Sequence, residues 1–168
     1  MSGLYKRPES VLVLICTSAG DVLVMERTRP HGFWQSVTGS LRWGESARAA
    51  ALREVAEETG LVAGSALRDL RCGERFPIVP PWRASYAPSA HVNREHWFVL
   101  ELNGRRSIRL NSREHRQSRW LPAAQAAQRV TSWTNSKLIR HWASGLLDKF
   151  GNTQPVHKRH RQGSRSTD

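Results

Sequence analysis

Apolar positions in this chain fall into short blocks, and the period within each block sets the element it predicts. Residues 11–16 (VLVLIC) are apolar at every position, which at this length predicts a buried strand. The turn SAGD separates them from residues 22–27 (VLVMER), and the two runs together predict a hairpin. Residues 33–39 (FWQSVTG) alternate as a short strand does, and residues 67–76 predict another. Residues 96–103 (HWFVLELN) read as the clearest later strand, with 106–111 expected to pair beside it and SRWLP as a further extended piece. Between them, residues 77–95 contain four prolines and predict a long loop over the functional site.

Three stretches have helical spacing instead. The first starts at Ser46, a good N-cap, runs through the helix formers Ala47, Ala49, Ala50, Ala51 and Leu52, and stops at Gly60. Its stripe of Ala47, Ala51 and Val55 is expected to pack down and leave the glutamates facing outward. PAAQAAQRV predicts a short helix with proline in its first turn. The stretch starting SWTNSKLIRHW is amphipathic, with Trp133, Leu138, Ile139, Trp142, Leu146 and Leu147 near helical spacing. Strands on either side of a carboxylate-bearing helix, with further helix near the end, predict an α/β/α sandwich on a mixed β-sheet.

Composition adjusts this picture in three places. At 168 residues and 39% hydrophobic content the chain suits one globular domain, expected over residues 1–150. Residues 151–168 have Val156 as their one aliphatic side chain and the charges Lys158, Arg159, Arg161 and Arg165 against Asp168, so they read as a disordered basic tail. The net charge of +12 draws anionic partners: phosphorylated small molecules or, through the tail, nucleic acid. Cys16 and Cys72 are too few for a disulfide framework, the longest apolar run is six residues, and no signal-peptide pattern is visible. A soluble, cytoplasmic protein without membrane partners is expected; the oligomeric state stays open.

The chemistry centres on residues 39–61, GSLRWGESARAAALREVAEETGL. On a helix, Glu54, Glu57 and Glu58 share one strip of surface, and like charges at that spacing repel. A hard cation such as Mg2+, with Mn2+ as the alternative, would relieve that repulsion. This stretch resembles the Nudix box, G-x5-E-x7-R-E-U-x-E-E-x-G-U with U a bulky aliphatic residue. Gly39, Glu45, Arg53, Glu54, Val55, Glu57, Glu58, Gly60 and Leu61 fill the pattern.

The resemblance implies a Nudix-type α/β/α fold and metal-dependent hydrolysis of a diphosphate linked to an organic group. It implies Glu54 and Glu58 as metal ligands, Glu57 as a ligand or acting through water, and Arg53 holding Glu54 or touching substrate phosphate. Family members often take the catalytic base from a glutamate outside the box. Glu114 is the candidate for that base and as a further metal ligand, against a reading as a surface ion-pair partner; Glu95 is the competitor. His91, His96 and His115 lack zinc-site spacing and read as loop or strand-surface residues.

The likeness extends outside the box, through YKRP, FWQSVTGS, YAP, EHW, EH before WL, and SW-x-N, toward family members that cleave a pterin triphosphate. It implies substrate contacts from Lys6, Arg27, Thr38 and Ser132; from the residues themselves, Trp34, Trp97 and Trp133 offer flat faces for a bicyclic ring, against a reading of each as ordinary core packing. The alternatives are a broader nucleoside triphosphate or RNA 5′-end pyrophosphohydrolase, and a binding module without catalysis.

Overall fold

The computed structural model describes residues 4–147. The expected basic tail, 151–168, lies outside the described residues, as does the domain boundary near 150. Among the described residues, seven strands form one mixed sheet. They are β1 (Glu9–Thr17), β2 (Asp21–Arg27), β3 (Trp34–Gln35), β4 (Val37–Ser40), β5 (Leu67–Pro77), β6 (Val92–Leu102) and β7 (His115–Pro122). Three helices, α1 (Ala47–Thr59), α2 (Ala123–Arg129) and α3 (Trp133–Ala143), cover its two faces. None of them is long and apolar enough to cross a membrane.

β1 explains why its sequence is apolar without interruption. It lies parallel to β6 along its whole length, and its other edge pairs with β4 at Ser10–Val13 and with β2 at Cys16. Successive side chains of a strand point to opposite faces. Val11, Val13 and Ile15 therefore join Ala50, Ala51 and Val55 of α1 in one core layer. Leu12, Leu14 and Cys16 join Ala126 and Ala127 of α2 and Leu138 and Ile139 of α3 in the other. β2 and β6 alternate in the same way, Leu23, Met25, Phe98 and Leu100 on the α1 side, Val22, Val24, Trp97 and Val99 on the far side. The expected sandwich and the expected hairpin are both present.

α1 is capped at both ends by the residues its sequence offers. The Ser46 hydroxyl accepts from the Ala49 N–H at 3.1 Å, and Gly60 turns the chain out in the left-handed region at φ 74°.

Three expectations need correction. The alternating run 33–39 is two strands, not one: at Ser36 the chain leaves β2 for β1, and the Ser36 N–H donates to Asn135 Oδ1 at 2.7 Å. Residues 106–111 form no strand, because β6 already has β1 on one edge and β5 on the other. That segment crosses α1 instead; the Arg109 N–H donates to the Thr59 carbonyl at 3.0 Å, and Ile108 and Leu110 pack on the α1-side core. α3 ends at Ala143, and Trp133 is 56% exposed rather than part of its buried stripe.

The left-handed cap gives the first test. Replacing Gly60 by alanine puts a Cβ in a backbone region that costs an L-residue about 1–2 kcal/mol. Urea unfolding should show a loss of that size for Gly60→Ala; an unchanged midpoint would mean the cap contributes nothing to stability.

Candidate active site

α1 places its glutamates by simple geometry. Val55 and Ala51 face the sheet, and the adjoining strip is Glu54 and Glu58, one turn apart. That strip faces inward, against the outward orientation the apolar stripe suggested. Glu54 is 8% exposed and Glu58 1%, while Glu57 keeps 45% of its side chain in solvent. The reason is that β1 and β4 lie under α1 while the 106–111 segment crosses it, through Arg109, Ile108 and Leu110.

Arg53 ties the strip together. Its guanidinium donates to Glu45 Oε1 and Oε2 at 2.8 and 2.9 Å, to Glu54 Oε1 at 2.6 Å, and to the Ser40 carbonyl at 3.2 Å. Glu57 Oε2 lies 3.4 Å away, and the other oxygen, Glu57 Oε1, is 3.6 Å from Arg42. Glu45 in turn accepts from the Arg42 N–H at 2.8 Å, which closes the loop before α1. Gly39 has a separate steric role, since a Cβ there would fall inside the Glu54 carboxylate.

Burial decides the electrostatics. It raises the carboxyl pKa of Glu54, against the opposing pull of Arg53. Glu58 is pushed well above the usual carboxylate range by burial first, then by the Glu54 and Glu114 charges, with a hydrogen bond from the Thr38 backbone acting against them. The Arg53 hydrogen bonds instead hold Glu45 down at about 2.

Glu114 reaches the same place from the other side. The 105–111 segment leads into a turn in which the Glu114 and His115 N–H groups both donate to the Asn111 carbonyl, at 3.0 and 2.9 Å. Asn111 Nδ2 donates to Glu114 Oε1 at 3.4 Å. Donor atoms of Glu58, Glu114 and His115 then lie within 4.8 Å of one another. Glu58 Oε2 and His115 Nδ1 are buried without a hydrogen-bond partner among the described residues. A buried, unpartnered oxygen beside two further carboxylates fits a divalent cation, which satisfies the oxygens and cancels their repulsion.

His115 corrects a sequence expectation. It is 1% exposed, not a surface residue, and burial followed by the nearby Arg27 lowers its pKa to about 4. Its adjacency to Glu114 was the available signal, but burial at a strand start is set by tertiary packing.

A cleft of about 860 Å³ opens above Glu54, Glu57 and Glu114. Lys6, Arg27, Thr38 and Ser132 all line it. Thr38 Oγ1 donates to the Val11 carbonyl at 2.8 Å, and Ser132 Oγ shares a 2.8 Å hydrogen bond with Thr134 Oγ1. Trp34 does not reach the cleft: it packs in the core, with Arg119 and Arg129 over its ring at 5.6 and 5.3 Å. Trp97 is buried too and donates from Nε1 to Glu95 Oε1 at 3.0 Å. Trp133 does line the cleft. The aromatic lining that sequence reasoning missed is Tyr5, Phe33, Trp43, Trp82 and Tyr86. Among these, Trp82 meets Phe33 edge-on at 5.9 Å and has the Arg27 guanidinium 5.1 Å above its ring. Its position on a loop gave no periodicity to read.

The Glu45–Arg53 pair yields a pH prediction. Glu45 binds its proton at about 2 in the folded chain against 4.5 ordinarily, so the unfolded chain binds it more readily between those values. The stabilisation is therefore whole above pH 4.5 and fades as pH falls toward 2. Denaturant unfolding of Glu45→Gln should show a deficit near neutrality that narrows across this window. A deficit constant with pH would contradict the pairing.

Comparison with known proteins agrees with this geometry. The family model described as NUDIX domain matches residues 6–142. The chain is 40% identical over 143 residues to dihydroneopterin triphosphate diphosphatase of Escherichia coli (strain K12), covering 83% of this chain and 94% of that protein. It is 31% identical over 149 residues to RNA pyrophosphohydrolase of Roseobacter denitrificans, covering 82% and 88%. The solved structure of the E. coli dihydroneopterin triphosphate pyrophosphohydrolase matches with a TM-score of 0.78 at 38% identity, over 84% of this chain and 99% of that one. With its box folded around buried carboxylates and its likeness running through the whole domain, the chain belongs to the Nudix family and is a Nudix hydrolase.

Proposed function

We propose that this hydrolase cleaves dihydroneopterin triphosphate to the monophosphate and pyrophosphate, a step in folate synthesis, with Mg2+ as its cation and Mn2+ as a substitute. The observation behind this reading is the 40% identity, across nearly the whole of the E. coli enzyme, to a protein of that activity. The cleft lining has matching chemistry: the acids Glu54, Glu57 and Glu114, the cations Lys6 and Arg27, and aromatic side chains.

Each group then has a part. Glu54, Glu57, Glu58 and Glu114 would hold the cation, which when bound neutralises phosphate charge and favours attack by water. Arg53 orients Glu54 through the 2.6 Å hydrogen bond, and Gly39 leaves room for that carboxylate. Glu114 lines the cleft and is placed to take the proton of the attacking water. Lys6 and Arg27 bind the triphosphate, with Thr38 and Ser132 as neutral contacts. Trp133 presents an exposed indole to the ring of the substrate. Water adds to one phosphorus, its proton passes to the base, and the anhydride oxygen leaves with pyrophosphate.

A second reading, an RNA 5′-end pyrophosphohydrolase, draws support from the net charge of +12 and the 31% identity to an enzyme of that name. The basic tail would then serve nucleic-acid binding.

One substrate comparison separates them. Dihydroneopterin triphosphate, dATP and 5′-triphosphate RNA are incubated with the full chain and Mg2+, and pyrophosphate is resolved from orthophosphate. The pterin should give the highest kcat/KM and release pyrophosphate; preference for RNA would overturn the first reading. Under the same conditions Glu114→Ala should lose about 100-fold or more in kcat with little change in KM. A variant that lost only thermal stability would reduce Glu114 to an ion-pair partner.

A further inference from the structure

Next to the cleft, with Glu95 on the lining of both, the outer part of the sheet holds a second concavity of about 650 Å³, lined by Arg71, Arg75 and Arg94 and by the acids Asp69, Glu74 and Glu95. Arg75 on the edge strand β5 and Arg94 on β6 are direct cross-strand partners. Side chains so placed share a face with Cβ atoms about 5 Å apart, and like charges there repel. Among the described residues, none of the three arginines forms an ion pair or a side-chain hydrogen bond.

The acids nearby have partners of their own: Glu95 is buried and accepts from Trp97 Nε1 at 3.0 Å. Glu74 is paired with Lys137. Asp69 Oδ1 accepts from the Arg71 N–H at 2.7 Å and fixes the bulge of β5. On the far side of Arg94, its parallel partner Glu9 spends its carboxylate on Arg7 at 2.7 Å and His96 at 2.9 Å. Charge on an edge strand also discourages unwanted strand pairing. That role accounts for Arg75, but β6 is an inner strand, and edge protection gives no reason for an arginine directly opposite.

We propose that this concavity, beside the cleft, is an anion site that takes a phosphoryl group between Arg75 and Arg94 with Arg71 at its side. Guanidinium forks match phosphate oxygens in pairs, and one phosphate between two arginines converts their repulsion into attraction. The phosphoryl group belongs either to a free polyphosphate or to a nucleic-acid strand.

The test uses the full chain in EDTA, where the uncompensated carboxylates of the cleft repel anions. Calorimetric titration with pyrophosphate, and fluorescence anisotropy with a single-stranded oligonucleotide lacking a 5′-phosphate, are run on wild type and on Arg75→Gln/Arg94→Gln. We expect the double variant to bind at least one probe tenfold or more weakly. It should keep the wild-type melting temperature or exceed it, and hold Mg2+-dependent kcat/KM within twofold. Loss for pyrophosphate alone supports a free polyphosphate as ligand; loss that includes the oligonucleotide supports a strand-borne phosphate. Equal affinities of variant and wild type for both probes overturn the site.

Discussion

Two carboxylates with no business in a core, Glu54 and Glu58, lie on the inner side of α1, and much of the domain exists to make that tolerable. An isolated buried charge is costly, and each one raises the cost of the next. The chain meets this locally with one cation of its own: Arg53 takes Glu54 on one side and Glu45 on the other. Glu58 receives no such guanidinium. Its Oε2 is buried with no hydrogen-bond partner among the described residues, a carboxylate oxygen of Glu58 lies within 4.8 Å of Glu114 and His115, and the imbalance left there is the physical argument for a divalent ion at the site.

The scaffold follows from that constraint. Parallel pairing of β1 with β6 fixes the sheet, and the alternating side chains of β1 divide it into two core layers. α1 packs on one layer while α2 and α3 take the other. The 105–111 segment is bound across α1 by Arg109, Ile108 and Leu110, and so delivers Glu114 opposite Glu58. Asn135 at the start of α3 bonds the Ser36 backbone and hydroxyl where β3 ends and β4 begins. The helix that bears Ser132 and Trp133 is thereby fixed to the strand that bears Thr38 and Gly39.

Much of this could be read from residues alone, and the failures have a common cause. β1, β2 and α1 were legible because period, caps and length all agreed at each of them. Ser46 and Gly60 do what their types favour, and the box spacing placed Arg53, Glu54 and Glu58 on one helix. What local pattern could not supply was the third dimension. Glutamates next to an apolar stripe read as solvent-facing until a second segment closes over them. Residues 106–111 have a strand's composition, but both edges of β6, the strand expected to receive them, are taken by β1 and β5. Trp34 and Trp97 are chemically equal to Trp82 and Trp133 as stacking surfaces; packing against the far core layer buries the first pair, while Trp82 on a short 3-10 turn is half-buried and Trp133 at a helix start is exposed.

The central claim is that the acidic strip of α1 grips a cation. Anomalous diffraction from crystals soaked in MnCl2 tests it most directly. The account predicts a manganese peak against the carboxylates of Glu54 and Glu58. A strip with no anomalous peak at saturating Mn2+, its glutamates still bonded only to Arg53 and to backbone, would contradict it.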